Sequence, residues 1–240
     1  MERLITSDDK ELIREILSKM DYTAALSPFV TSETVKQACV DTKRYGFATV
    51  DVYPTWVALA SREMKGSTQG ILVTIGFPHG STVTEAKVAE ARKCLEDGAT
   101  ELDMVINIAR MLEGDEAYVK ADIAQVVSCA AEYGRGVKVI LEVGYLTDAQ
   151  KIRAAELAVE AGAEYVKTCT GFGPGKASVH EITLLKSVVG DRAKVKASGG
   201  IASLEDQLAF IRCGASRVSG RENILEQLRE IGYGEAYDEQ

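Results

Sequence analysis

Eight short runs rich in β-branched and other apolar residues recur along the chain, and each is followed by a stretch of helical period. The strand candidates cover 18–23, 47–52, 70–76, 100–107, 137–143, 163–168, 193–197 and 215–219. Helical patterns follow them at 32–45, 54–65, 81–97, 115–133, 147–161, 178–189, 203–213 and 221–231, and an extra one at 8–17 precedes the first strand. Such alternation admits few solutions, chiefly a parallel sheet whose crossovers are the helices. Glycine recurs at the helix-to-strand joints, as Gly98-Ala99, Gly162-Ala163 and Gly214-Ala215, and Gly46 stands at a fourth. The residue just past a helix end often needs a left-handed backbone, which glycine adopts without steric cost. The repeat suggests one unit copied around a closed ring, and eight units in 240 residues is the spacing of a compact barrel. An open doubly wound sheet is the alternative, but no GxGxxG follows the first strand. We therefore expect an α/β fold, a single (β/α)8 TIM barrel with an extra N-terminal helix, as one domain over residues 1–240.

The remaining bulk properties narrow the function classes. A chain of this length can build its core without disulfides or metal staples. Its five cysteines, Cys39, Cys94, Cys129, Cys169 and Cys213, are odd in number and form no CxxC pair, which fits free thiols in a reducing compartment. The charged start Met1-Glu2-Arg3 lacks the apolar core of a secretion signal, and no apolar run is long enough to span a bilayer. A cytoplasmic protein is expected. The net charge of −8 and the lack of a Lys/Arg cluster argue against nucleic acid as a partner, whereas a small anion needs only a few local dipoles and cations.

Parity along three strands puts charges where a barrel should not want them. In Glu101-Leu102-Asp103-Met104-Val105-Ile106-Asn107, the apolar Leu102, Met104 and Ile106 share one face, which leaves Asp103 pointing into the barrel. The same reasoning sends Val166 outward and Lys167 inward, and Val195 outward and Lys196 inward. A barrel interior is a packed core, where an ionised group is strongly disfavoured unless paired or shifted in pKa. The plain reading is a structural ion pair of Asp103 with one lysine, but it leaves the second lysine unexplained. The chemical reading uses all three. An ordinary lysine is protonated at neutral pH and cannot attack a carbonyl, whereas a second ammonium nearby together with desolvation frees the amine. A carboxylate beside it can then shuttle protons, and the three residues make up the parts of a class I aldolase.

At these residues the sequence resembles the deoxyribose-phosphate aldolase family, over nearly the whole chain. Tyr165-Val166-Lys167-Thr168-Cys169-Thr170-Gly171-Phe172-Gly173 is similar to the family's Schiff-base segment. Val195-Lys196-Ala197-Ser198-Gly199-Gly200 is similar to its second-lysine segment, and Glu101 to Asn107 to the one carrying its proton-transfer aspartate. Ile75-Gly76-Phe77-Pro78 and Tyr145-Leu146-Thr147-Asp148 also fit. The resemblance implies Lys167 as the imine-forming nucleophile, Lys196 as its electrostatic activator and Asp103 as proton donor and acceptor. It implies reversible cleavage of 2-deoxyribose 5-phosphate to glyceraldehyde 3-phosphate and acetaldehyde, a step of carbohydrate degradation and deoxyribonucleotide catabolism. No cofactor is implied, and a homo-oligomer is compatible. Asp21 and Thr23 match polar family positions expected to support the proton relay. Glycine-bearing turns after the last three strands are expected to hold the phosphate: Thr170 and Gly171, then Ser198, Gly199 and Gly200, then Ser219 and Gly220.

Several positions depart from the family pattern. Arg221-Glu222 stands in place of a serine pair at the phosphate, with three readings open: Arg221 binds the phosphate bidentately, Glu222 repels it, or both simply start a solvated helix. Ala202 stands where the family often has arginine, and Tyr22 where many members have histidine. Asp51 stands where the family often has cysteine; pointing inward, it would raise a lysine pKa or bind a substrate hydroxyl. These changes leave open an aldolase of the same fold with another sugar, or a non-catalytic metabolite-binding barrel. A metal-dependent aldolase needs clustered histidines, but only His79 and His180 exist and they are far apart, so activity should survive chelation by EDTA. No GxSxG arrangement appears.

Overall fold

A computed structural model describes residues 5–233; Met1-Glu2-Arg3 and the polar tail Gly234 to Gln240, expected to fray, lie outside the described residues. Eight strands close into a ring: β1 (Met20–Ala25), β2 (Thr49–Val52), β3 (Gly70–Ile75), β4 (Glu101–Val105), β5 (Val137–Ile140), β6 (Tyr165–Lys167), β7 (Lys194–Ala197) and β8 (Ala215–Gly220). Each pairs in parallel with the next, and β8 returns to β1 through Met20↔Val218 and Asp21↔Ser219. The helices are α1 (Lys10–Ser18), α2 (Ser32–Tyr45), α3 (Val57–Glu63), α4 (Thr84–Glu96), α5 (Ile108–Glu113), α6 (Glu116–Glu132), α7 (Asp148–Glu160), α8 (Val179–Val189), α9 (Leu204–Arg212) and α10 (Glu222–Glu230).

Local chemistry explains the segmentation. Thr31 and Thr147 open α2 and α7 with reciprocal capping boxes, and Ser178 and Ser203 cap α8 and α9. The repeated joint glycines Gly98, Gly162 and Gly214 take φ of 110°, 89° and 109°, which accounts for the sequence repeat. Two expectations change. The stretch 100–107 is extended only to Val105, because the Asn107 side chain accepts from the Arg110 N–H and starts α5, a short helix absent from the sequence reading. The stretch 137–143 ends at Ile140, because Glu142 adopts a left-handed φ of 54° and turns the chain into a 3-10 turn at Val143–Tyr145.

Side chains of outward parity form the shell between barrel and helices. Val50, Val73, Leu102, Met104, Val139, Val166, Val195 and Val218 have no exposed surface and join one continuous core. Full burial of each such side chain contributes about 1.5–3 kcal/mol, and this shell supports an interior that is unusually polar.

Candidate active site

The inward parity that places Val166 and Val195 in the shell sends Lys167 and Lys196 to the barrel axis, where register pairs them across β6 and β7. Both are buried, as is Asp103 on β4. The Lys167 Nζ lies 2.5 Å from Asp103 Oδ2, and the Lys196 Nζ lies 2.8 Å from the same oxygen. Lys196 is also 2.6 Å from Asp21 Oδ2 on β1. Asp21 Oδ1 in turn accepts from the Thr49 hydroxyl at 2.9 Å and from Arg217.

The electrostatics separate the two lysines. Burial is the largest influence on Lys167 and lowers its pKa; the Lys196 ammonium acts in the same direction, and Asp103 opposes both. Burial would lower Lys196 too, but Asp103, Asp21 and Asp51 together outweigh it and hold this ammonium well above the usual lysine range. Burial works against ionisation of Asp103, yet Lys167, Lys196 and Lys138 keep its carboxyl below the usual range. The site therefore holds one permanently charged lysine and one whose proton is easily lost, joined by a single carboxylate oxygen.

Above Lys167 opens a cavity of about 250 Å³ at the C-terminal ends of the strands, where barrel enzymes keep their chemistry. Thr23, Lys167, Thr170, Gly171, Ser198, Gly199, Gly200, Ser219, Gly220 and Arg221 all line it, so the structure brings these expected site residues to one wall. Gly199 and Gly200 take φ of 99° and 69°, a left-handed turn that only glycine adopts without strain, on the wall of the cavity. The Ser219 hydroxyl donates to Ser198 Oγ at 3.0 Å, and Thr23 Oγ1 donates to the Gly220 carbonyl at 3.1 Å. Asp21, expected to support the proton relay, and Asp51, expected to raise a lysine pKa or bind a substrate hydroxyl, do not line the cavity; both are fully buried. Asp51 does point inward, and burial pushes its carboxyl up to about 7, with Lys196 pulling it back and Asp103 adding to the rise. Arg221 and Glu222 part company: Arg221 faces the cavity, whereas Glu222 lines a groove between α2 and α10. His180 bonds Asp148 between α8 and α7, and His79 lines a separate cleft beside Glu90.

Four further residues belong to this picture and were passed over in the sequence. Lys138 and Arg217 point inward and pair with Glu101, which extends the charged interior below Asp21 and Asp103. Their signal was the same strand parity, since Lys138 lies between Val137 and Val139, and Arg217 precedes Val218. The stem of Lys176 crosses Gly200, where an added Cβ would meet its Cδ at 2.8 Å, and this brings a cation to the rim of the glycine turn. Glu142 is the fourth. Its left-handed backbone costs about 1–3 kcal/mol, and its buried carboxylate accepts from the Thr170 N–H at 3.0 Å and from the Thr170 hydroxyl. That clamp fixes the loop leaving Lys167. Glu142→Gln keeps the shape but loses the charge, and kcat/KM should fall about tenfold, the size of one charge-assisted bond reduced to a neutral one; steady-state kinetics check this.

Residues 16–223 match the sequence model of the DeoC/LacD family aldolases. The deoxyribose-phosphate aldolase of Caldanaerobacter subterraneus is 43% identical over 228 residues, which covers 94% of this chain and 98% of that one. The deoxyribose-phosphate aldolase of Thermococcus gammatolerans is 50% identical over 206 residues, covering 85% and 91%. Among solved structures, a tetrameric deoxyribose phosphate aldolase from Aeropyrum pernix superposes with a TM-score of 0.83 at 31% identity, covering 91% of this chain and 93% of its own.

Proposed function

The chain belongs to the DeoC/LacD family of aldolases, and on that premise we propose that it cleaves 2-deoxy-D-ribose 5-phosphate reversibly to D-glyceraldehyde 3-phosphate and acetaldehyde through a Schiff base on Lys167. The observation that carries this reading is the shared Asp103 Oδ2, within 2.5 Å of Lys167 and 2.8 Å of Lys196.

The geometry supplies each step. The Lys167 amine, freed by burial and by the Lys196 charge, attacks C1 of the open-chain sugar to form a carbinolamine. Loss of water gives the iminium, an electron sink at C1. Removal of the C3 hydroxyl proton then breaks the C2–C3 bond, releases glyceraldehyde 3-phosphate and leaves an enamine on Lys167. Protonation at C2 and hydrolysis release acetaldehyde. Asp103 is the group within reach of Lys167 to carry these protons, and Lys196 keeps it ionised between transfers. The phosphate fits at the other end of the cavity, against the Gly199-Gly200 turn, Ser219 and Arg221.

Reduction with sodium borohydride in the presence of acetaldehyde, followed by peptide mass spectrometry, tests the reading. A two-carbon adduct on Lys167 supports it, and a folded protein with no adduct overturns it. Arg221 gives a separate test of the phosphate end. Arg221→Ala should raise KM for the phosphorylated sugar by roughly 10- to 100-fold, the worth of a hydrogen bond to a charged group, and leave kcat/KM for free 2-deoxyribose unchanged. Equal loss on both sugars would favour the second reading, an aldolase of this fold with a different sugar, which Ala202 and Arg221 motivate. The free cysteines fit a reducing, cytoplasmic site of action, and among the described residues no helix is long and apolar enough to cross a membrane. Assembly into a homo-oligomer accords with the tetrameric Aeropyrum pernix relative, and light scattering would measure it.

A further inference from the structure

Asp51 on β2 is a buried carboxyl that the reaction scheme leaves without a task. It has no exposed surface, and neither of its oxygens has a hydrogen-bond partner. Its surroundings come from all sides of the ring. Asp21 stands on the neighbouring β1, the Thr74 hydroxyl, itself unpartnered, on β3, and Asp103 on β4. Lys167 on β6 and Lys196 on β7 act on it electrostatically, as do Asp103 and Asp21, and Tyr53 follows it two residues along the chain. Lys138 on β5 and Arg217 on β8 complete the charged groups of the interior.

A carboxylate buried without donors is costly unless a nearby cation balances it. The other ion pairs leave no cation to spare. Among the described residues, Asp21, Asp51, Asp103 and Glu101 are the four carboxylates inside the ring of strands, and Lys138, Lys167, Lys196 and Arg217 are the four cations, Lys167 also touching Asp103. Counted as a set, three of these cations balance Asp21, Asp103 and Glu101, and the fourth charge, that of Lys167, is the one whose presence goes with an ionised Asp51. A neutral carboxylic acid at Asp51 goes with a neutral amine at Lys167, and a carboxylate at Asp51 goes with a cation at Lys167. These two arrangements carry the same net charge. When the imine forms, however, it is an electron sink only as the protonated iminium, so the reacting Lys167 nitrogen carries a positive charge, and the balance then calls for Asp51 to be ionised.

We propose that Asp51 is a positioning residue that rests as a neutral acid and ionises as the Lys167 imine forms, standing as the counter-charge to the iminium. This rests on Lys167 being the imine-forming lysine. In the step concerned the nitrogen lone pair of the carbinolamine forms the C=N bond and the C–O bond breaks. The hydroxide leaves as water with a proton whose net source is the Asp51 carboxyl, relayed through Asp103, and Asp51 remains as carboxylate. Hydrolysis runs the transfer backwards, so no external acid is consumed. The upward pull of burial on Asp51 and the downward pull on Lys167 agree with this resting state.

Two measurements test it on the intact protein. The first is infrared difference spectroscopy of the wild type with and without acetaldehyde, at about pH 6, below the value to which burial pushes Asp51. A carboxylic-acid carbonyl stretch is expected in the free enzyme, lost when the imine forms and missing from Asp51→Asn. The second is the pH dependence of borohydride trapping of acetaldehyde on Lys167. Asparagine is a neutral stand-in for the resting acid, so the rising limb, which free Lys167 sets, should stay at its wild-type pH. At saturating aldehyde the trapped fraction should fall, because the iminium has lost its counter-charge. An adduct on Lys167 with an unchanged acid band, or with equal trapped fractions for the two proteins at saturating aldehyde, overturns the inference and leaves the aldolase reading standing. Absence of any wild-type adduct overturns both. Should Asp51→Asn fail to fold, the wild-type infrared band decides alone.

Discussion

Lys167→Met is expected to cut turnover of 2-deoxyribose 5-phosphate by roughly 10⁴- to 10⁶-fold, the scale seen when the nucleophile of a coupled catalytic unit is removed, while the barrel stays folded. The two halves of that expectation have separate causes. Methionine is similar in length and apolar, and Lys167 is buried, so the side-chain volume is kept and a desolvated amine is removed. Asp103 is not orphaned by the change, because Lys196 stays 2.8 Å from the same oxygen. The thermal midpoint should therefore shift by only a few degrees, whereas no lone pair remains to attack the carbonyl. Lys167→Arg should fail as completely, since a guanidinium keeps its proton at any working pH. Turnover and borohydride adduct measured together make the result decisive. An adduct that moves to Lys196 in the variant would reassign the nucleophile, and retained turnover would remove Lys167 from the mechanism.

How much of this could be read from the sequence follows from the range of the interactions involved. The eight-fold alternation and the joint glycines depend on local backbone preferences, so strand and helix positions came out within a few residues. The inward placement of Asp103, Lys167 and Lys196 depends only on a period of two within a strand. The same rule, applied to Val137-Lys138-Val139 and to Arg217-Val218, would have revealed the lower ion pairs; the signal was present and unused. Other features were not available locally. Glu142 lies in an apolar run that reads as a strand, and its left-handed turn is compensated by Thr170, 28 residues away. The neutral character of Asp51 depends on a count of charges contributed by six other strands. Glu222 looked like a threat to the phosphate when read beside Arg221, because sequence adjacency does not show that the start of α10 turns the two side chains to opposite sides.

Lys196→Met should damage both stability and chemistry, and the pH dependence of each separates the causes. Lys196 is fully buried between Asp103 and Asp21, so its removal leaves two carboxylates each with a partner missing, at a cost of about 3–5 kcal/mol. Arg217 still holds Asp21 and Lys167 still holds Asp103, which limits the loss to that range. Both carboxyls are held below their ordinary range in the wild type, so their contribution to stability is present above that range and is lost as pH falls below it, through their depressed values. The raised pKa of Lys196 sets the opposite limb, with its contribution intact below the ordinary lysine value and lost only in strong alkali. Denaturant melts should therefore show the largest gap between wild type and variant near neutral pH, narrowing as the solution is acidified. The chemical defect has a different profile. Without the Lys196 ammonium, burial alone opposes the pull of Asp103 on Lys167, and the amine stays protonated to higher pH. Trapping of acetaldehyde on Lys167 should be slowed by about 10- to 100-fold at pH 7, one to two pKa units' worth, and should recover as pH rises. A defect that is flat with pH would mean that Lys196 acts through packing alone; recovery in alkali would mean that its charge is what frees the nucleophile.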